Sequence, residues 1–131
     1  MNTRVIVSAI IIQDNKFLVL KRASDSQFAP NEWELVSGFM DNGETAEQTI
    51  LREVKEELNV SGSILKSLPI YEMNDNDGRW VVIPYLVLLD DNKTIKISDE
   101  HSELKWMTIE EMSQFEYLAE TVRFIKSQKI L

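Results

Sequence analysis

The stretch GFMDNGETAEQTILREVKEELNV, residues 38–60, crowds Glu53, Glu56 and Glu57 directly behind Arg52. Its residues 45–58 contain no Gly or Pro and are rich in Glu, Gln, Leu and Ala, which predicts a helix. With Glu53 at zero, Glu57 falls at about 40° and Glu56 at about 300° around the helix axis, so the three carboxylates share one face. Leu51, Val54 and Leu58 fall between about 100° and 160°, an apolar stripe for packing on a sheet, and the acidic face is expected to turn away from that packing. Like charges at these spacings oppose one another by a few tenths of a kcal/mol per pair. Arg52, beside Glu53 and four residues before Glu56, offsets part of that opposition. A solvated acidic face accounts for three glutamates at this spacing. So does a cation site, because carboxylates at i, i+3 and i+4 converge on hard divalent ions that take oxygen ligands.

Composition narrows the classes. The 131 residues fit one domain, expected to span 1–131, with 44% hydrophobic and 27% charged residues as in a folded soluble protein. The net charge of −8 and pI near 4.7 argue against extended nucleic-acid binding, since a polyphosphate backbone is repelled. A small phosphorylated ligand stays compatible where a carboxylate-held cation reverses the local field. The absence of cysteine excludes disulfides and thiolate chemistry. The longest apolar runs, residues 5–12 and 80–89, are about half the roughly 20 residues of a membrane span, so no membrane partner is expected. The N-terminus shows no leader pattern, which makes a cytoplasmic location the expectation.

Outward from the acidic helix, residues 5–12 and 17–20 flank Asp14 and Asn15 as a predicted hairpin. Residues 23–32 read as a loop and 33–36 as a short strand. After the helix, residues 64–71 and 79–89 flank the turn signal at 74–78 as a second hairpin. Residues 90–93 turn the chain into 94–97, and 106–108 form a brief strand. A last helix over about 109–129, broken near Ser113, carries the apolar stripe Leu118, Val122 and Ile125.

The string as a whole matches G-x5-E-x7-R-E-U-x-E-E-x-G-U, with U apolar, at every position but one, and it resembles the Nudix box. Gly38, Glu44, Arg52, Glu53, Glu56 and Glu57 occupy the specified places; at about one in fifteen each, coincidence is about one in ten million per frame. The departure is Asn59 where the family has Gly. Asn is the usual substitute in the left-handed conformation that ends helices, which is the conformation expected here. The chain also has Val36-Ser37-Gly38 where the family often has Pro-Gly-Gly.

The resemblance, to the MutT-like branch in particular, implies an α/β fold: a Nudix-type α/β/α sandwich with a mixed β-sheet, the box helix mid-chain and a helix at the C-terminus. It implies that Glu53, Glu56, Glu57 and the backbone carbonyl of Ser37 bind Mg²⁺, with Mn²⁺ as the alternative, and that Arg52 and Glu44 orient them. Glu44 equally suits a helix-start carboxylate. Related enzymes often add a carboxylate before a tryptophan; here Glu100 and then Glu103 precede Trp106, and the resemblance implies that Glu100 joins the metal ligands and, with Glu53, is a candidate for the catalytic base. The neighbouring His101 is set aside, since a lone histidine is more often a surface residue or part of hydrogen-bonded structure than a catalyst. Lys21 and Arg22, and less directly Arg4, are candidate phosphate partners, while Phe28, Trp33 and Phe115 are candidates for base stacking. The implied reaction is metal-dependent hydrolysis of the pyrophosphate bond in a nucleoside diphosphate linked to X, with a nucleoside triphosphate or modified nucleotide first. Gln114 and Glu116 are not the Asn or Asp wanted for oxidised guanine. The alternatives are a silent nucleotide-binding or sensor module and an acidic structural domain.

Overall fold

Asp14 and Asn15 both adopt positive φ, 52° and 62°, the two-residue turn whose twist matches that of paired strands. It joins β1 (Thr3–Gln13) to β2 (Lys16–Arg22) in the expected hairpin, with Gln13 opposite Lys16. In the computed structural model, which describes residues 2–76, 78–90 and 94–130, the chain continues through β3 (Trp33–Glu34), β4 (Val36–Gly38) and α1 (Ala46–Leu58). Strands β5 (Gly62–Ser67), β6 (Tyr71–Asp75), β7 (Gly78–Leu89) and β8 (His101–Met107) follow, then α2 (Ile109–Met112) and α3 (Ala119–Gln128).

β1 is the hub of a mixed sheet. It runs parallel to β7 from Thr3 opposite Arg79 to Ile11 opposite Val87, and antiparallel to β4 and β2. β2 carries β3 and β8, while β5 and β6 both pair antiparallel with β7. Successive strand side chains point to opposite faces. Val7, Ala9 and Ile11 therefore join Leu18 and Leu20 against Ile50, Val54 and Leu58 of α1. Ile10, Phe17 and Val19 face the other way, onto Met112 and the predicted stripe Leu118, Val122 and Ile125. The outcome is the expected mixed sheet with α1 on one face and the C-terminal helices on the other.

The later elements follow the expectation only in part. The second hairpin has β6 as its arm: the residues 64–71 read as one strand split around Pro69 into β5 and β6, which share β7 as partner. Of its turn signal, residue 77 lies outside the described residues, as do residues 91–93 of the next turn. Residues 94–97 form no strand; they run past the end of α1, held by Lys96 N–H to Leu58 O at 3.0 Å and Ser98 N–H to Glu57 O at 3.3 Å. The last helix does break at Ser113, the C-cap of α2, and resumes after a 3-10 turn at Glu116–Leu118. No helix among the described residues is long and apolar enough to cross a membrane.

α1 begins at a capping box in which Thr45 and Gln48 exchange side-chain-to-backbone bonds. It ends at Asn59 with φ 58° and ψ 28°, the left-handed cap expected. The amide side chain adds what a glycine lacks: Nδ2 donates to Lys96 O at 2.6 Å, tying residues 94–98 to the helix end. Asn59→Ala is expected to lower stability by about 1–2 kcal/mol in urea unfolding, through the strained φ and the lost bond.

Candidate active site

Arg52 sits where the box helix meets the β4 loop, and its guanidinium is shared among several carboxylates. Nε and Nη2 donate to the two oxygens of Glu44 at 2.6 and 2.9 Å, Nη1 donates to Glu53 Oε1 at 2.7 Å and Glu56 Oε2 at 3.2 Å, and Nη2 reaches Phe39 O at 3.1 Å. Glu44 precedes the cap residue and also accepts from Asp41 N–H and Thr49 Oγ1, each at 2.9 Å. The arginine, first of these partners, holds the Glu44 carboxyl down to about 2. Of the two places read for Glu44, the geometry is that of the arginine clamp.

Gly38 leaves room for Glu53: a Cβ there would lie 2.3 Å from Glu53 Cδ. Ser37 lies beside it, its hydroxyl 2.8 Å from that of Ser8. Glu56 is exposed on the outer turn. Glu57 corrects the expectation that the whole acidic face turns away from packing, for it is 2% exposed. Burial first, then the neighbouring Glu53, with Glu34 and Glu100 adding, pushes its carboxyl well above the usual carboxylate range. Its Oε2 has no hydrogen-bond partner among the described residues. The face is covered because residues 94–101 cross it.

A cavity of about 690 Å³ opens over these groups, within the size range of small-molecule sites. Ser37, Arg52, Glu53, Glu57 and Glu100 line it, and so do the aromatic residues Phe28, Phe39 and Trp80. Phe28 meets Trp80 edge-to-face at 6.0 Å. The Arg4 guanidinium lies 5.3 and 5.1 Å from those two ring centroids.

The remaining candidates are placed less centrally. Arg22 lines the cavity, but its guanidinium is spent on Glu34 Oε2, Ser26 Oγ and Phe28 O, at 2.6–3.0 Å, which shapes the loop after β2. Lys21 points elsewhere, pairing with Glu103 at 3.6 Å; neither residue lines the cavity. Phe115 packs on Trp33 at 6.3 Å in the opposite core. The alternation along β2 and the break before α3 send Lys21 and Phe115 away from the box.

Three residues that the sequence reading passed over or set aside stand at the site. Trp80 looked like part of a continuous apolar strand. Glu34 carried a signal, a charge inside the short run 33–36. His101 is buried, with Nε2 at 2.8 Å from Glu34 Oε2.

A glycine-seated carboxylate, an arginine clamp and a buried glutamate on one capped helix define a class, and the chain belongs to it: the profile of the NUDIX domain matches residues 2–127, placing this protein in the Nudix family. It is 30% identical to the nucleoside triphosphatase NudI of an Enterobacter species over 98% of each chain. In structure it resembles the MutT protein from Methanosarcina mazei (TM-score 0.81, 23% identity, 97% and 96% of the two chains). It also resembles the NUDIX domain of Shewanella oneidensis NrtR complexed with ADP ribose (TM-score 0.73, 25% identity, 98% and 89% of the two chains).

Proposed function

We propose that this protein hydrolyses the pyrophosphate bond of a nucleoside diphosphate linked to X, with a nucleoside triphosphate or modified nucleotide as substrate and a divalent cation as cofactor, Mg²⁺ first. One observation carries this reading: a single cavity is lined both by Glu53 and Glu57 and by the aromatic side chains of Phe28 and Trp80. A nucleotide has the matching parts, a polyphosphate and a stackable base. The similarity to a nucleoside triphosphatase over nearly the whole chain supports the triphosphate as first choice.

The donor set fits a hard cation. Glu57 keeps a buried oxygen without a partner, beside Glu53, on a helix face rich in carboxylates. Glu53, Glu56, Glu57 and the carbonyl of Ser37 would hold the ion. When bound, it draws charge from a phosphoryl oxygen and offsets charge on the leaving group. Arg52 fixes Glu53 and Glu56 in register. Glu53 or Glu100 takes the proton of the attacking water, and Phe28 and Trp80 stack the base.

The test is release of phosphate or pyrophosphate from a panel of nucleoside triphosphates, modified nucleotides and ADP-ribose with Mg²⁺. Wild type is expected to turn over at least one of them, and Glu56→Gln to lose about 10²-fold or more. The second reading, a module that binds nucleotide without cleaving it, is kept by the likeness to the ADP-ribose-bound NrtR domain. Tight binding with no turnover across the panel would establish it.

A further inference from the structure

His101 is the sole histidine of the chain, is 6% exposed, and takes no part in the chemistry above. Its Nε2 lies 2.8 Å from Glu34 Oε2, the same oxygen that accepts from Arg22 Nη1 at 2.8 Å. A carboxylate ion-paired with arginine offers only acceptor oxygens, so the imidazole hydrogen sits on Nε2 and the Nδ1 lone pair points the other way. There it meets Glu57 Oε1 at 3.6 Å, outside hydrogen-bond distance. Nδ1 and Glu57 Oε2 are the buried side-chain atoms left without partners among the described residues.

His101 Nδ1 and Glu57 Oε1 face each other across that gap, and a cation between them would draw the Glu57 carboxyl into its ionised, ligating form. Two ligands about 2.1 Å from a shared tetrahedral ion stand roughly 3.4 Å apart, and 3.6 Å separates these two. Ligand atoms of Glu34, Glu57 and His101 all lie within 4.8 Å of one another. A histidine that donates its far N–H to a carboxylate is also the usual arrangement behind a metal-bound imidazole, because the carboxylate fixes the tautomer and the ring.

We propose that His101 Nδ1 and Glu57 form a buried nitrogen-and-oxygen seat for a divalent transition ion, Mn²⁺ in the first instance, with Glu34 and Arg22 holding the imidazole in place. An imidazole nitrogen favours transition ions over Mg²⁺, which takes oxygen ligands, and Mn²⁺ is the member of that series whose unpaired electrons report the ligand directly. His101 would then give this site a bias toward transition ions that the carboxylates do not supply. The inference shares Glu57 with the reading above, but it needs only ion binding.

The experiment uses the untagged full chain loaded with Mn²⁺ and pulsed electron paramagnetic resonance. Because the chain has one histidine, any imidazole ¹⁴N modulation belongs to His101. Wild type is expected to show that modulation. His101→Gln is expected to lose it, with Mn²⁺ affinity falling about tenfold or more relative to Mg²⁺ affinity. Stoichiometric Mn²⁺ without nitrogen coupling in wild type would overturn the seat and leave the carboxylate site intact. Absence of any bound Mn²⁺ would overturn both. The wild-type spectrum decides even where the variant does not fold.

Discussion

Glu57→Gln is expected to lower Mg²⁺-supported hydrolysis by about 10²–10⁴-fold and, in the same protein, to stabilise the metal-free fold at neutral pH. The two effects have opposite signs if, as proposed, the glutamate is placed for an ion and not for packing. It is 2% exposed with an unpartnered oxygen, and burial raises its carboxyl well above the ordinary 4.5. Between the unfolded value and the raised folded value, the native state binds more protons than the unfolded chain. Stability therefore is fully present below the unfolded value and falls as pH rises through the folded one. Gln has no charge to desolvate, so it removes that slope. The gain is the cost of ionising the buried carboxyl at neutral pH, which the amide does not bear, at least about 1 kcal/mol. Urea unfolding in chelator at about pH 5 and about pH 8 measures it: wild type should lose stability between the two, and the variant should not. Added Mg²⁺ or Mn²⁺ should raise the wild-type midpoint by mass action and leave the variant nearly unmoved. A variant less stable than wild type at the higher pH without metal would refute this account of Glu57.

Gly38→Ala is expected to reduce kcat by about 10²-fold with little loss of stability, because its added methyl group displaces one carboxylate. The new Cβ would lie 2.3 Å from Glu53 Cδ and 2.4 Å from Oε1. Oε1 is the oxygen that Arg52 Nη1 holds at 2.7 Å. The clash falls on the far end of a flexible side chain, so Glu53 swings aside and the backbone stays. A misplacement near 1 Å in a positioned catalytic group typically brings a loss of this size. Kinetics on the best substrate of the panel, beside a thermal melt, separate the two effects. Activity within about threefold of wild type would mean that the seat of Glu53 on Gly38 is dispensable.

Local order was legible in residues 38–60. The helix, its Thr45 start, the left-handed Asn59 and the common face of Glu53 and Glu56 all follow from backbone periodicity and capping, which depend on neighbours in the chain. The clamp of Arg52 on Glu53 and Glu56 was legible for the same reason, since these partners lie within one turn. The hairpin at Asp14 and Asn15 was readable from its turn chemistry. Residues 64–71 were less so, because two short strands around a proline look like one apolar run until β7 is seen pairing with both.

What the sequence determined by itself is the family and the register of the box carboxylates, because spacing along one helix is a local property that no tertiary contact alters. What only the tertiary structure decided is which of those carboxylates meets water. Residues 94–101 cross the helix end, bury Glu57 and bring His101 and Glu34 beside it. The same long-range pairing put Trp80 opposite Phe28 in the cavity and turned Lys21 and Phe115 away from it. Side chains far apart in the chain share a site only through strand order and the alternation of faces, and neither is written in the spacing of one motif.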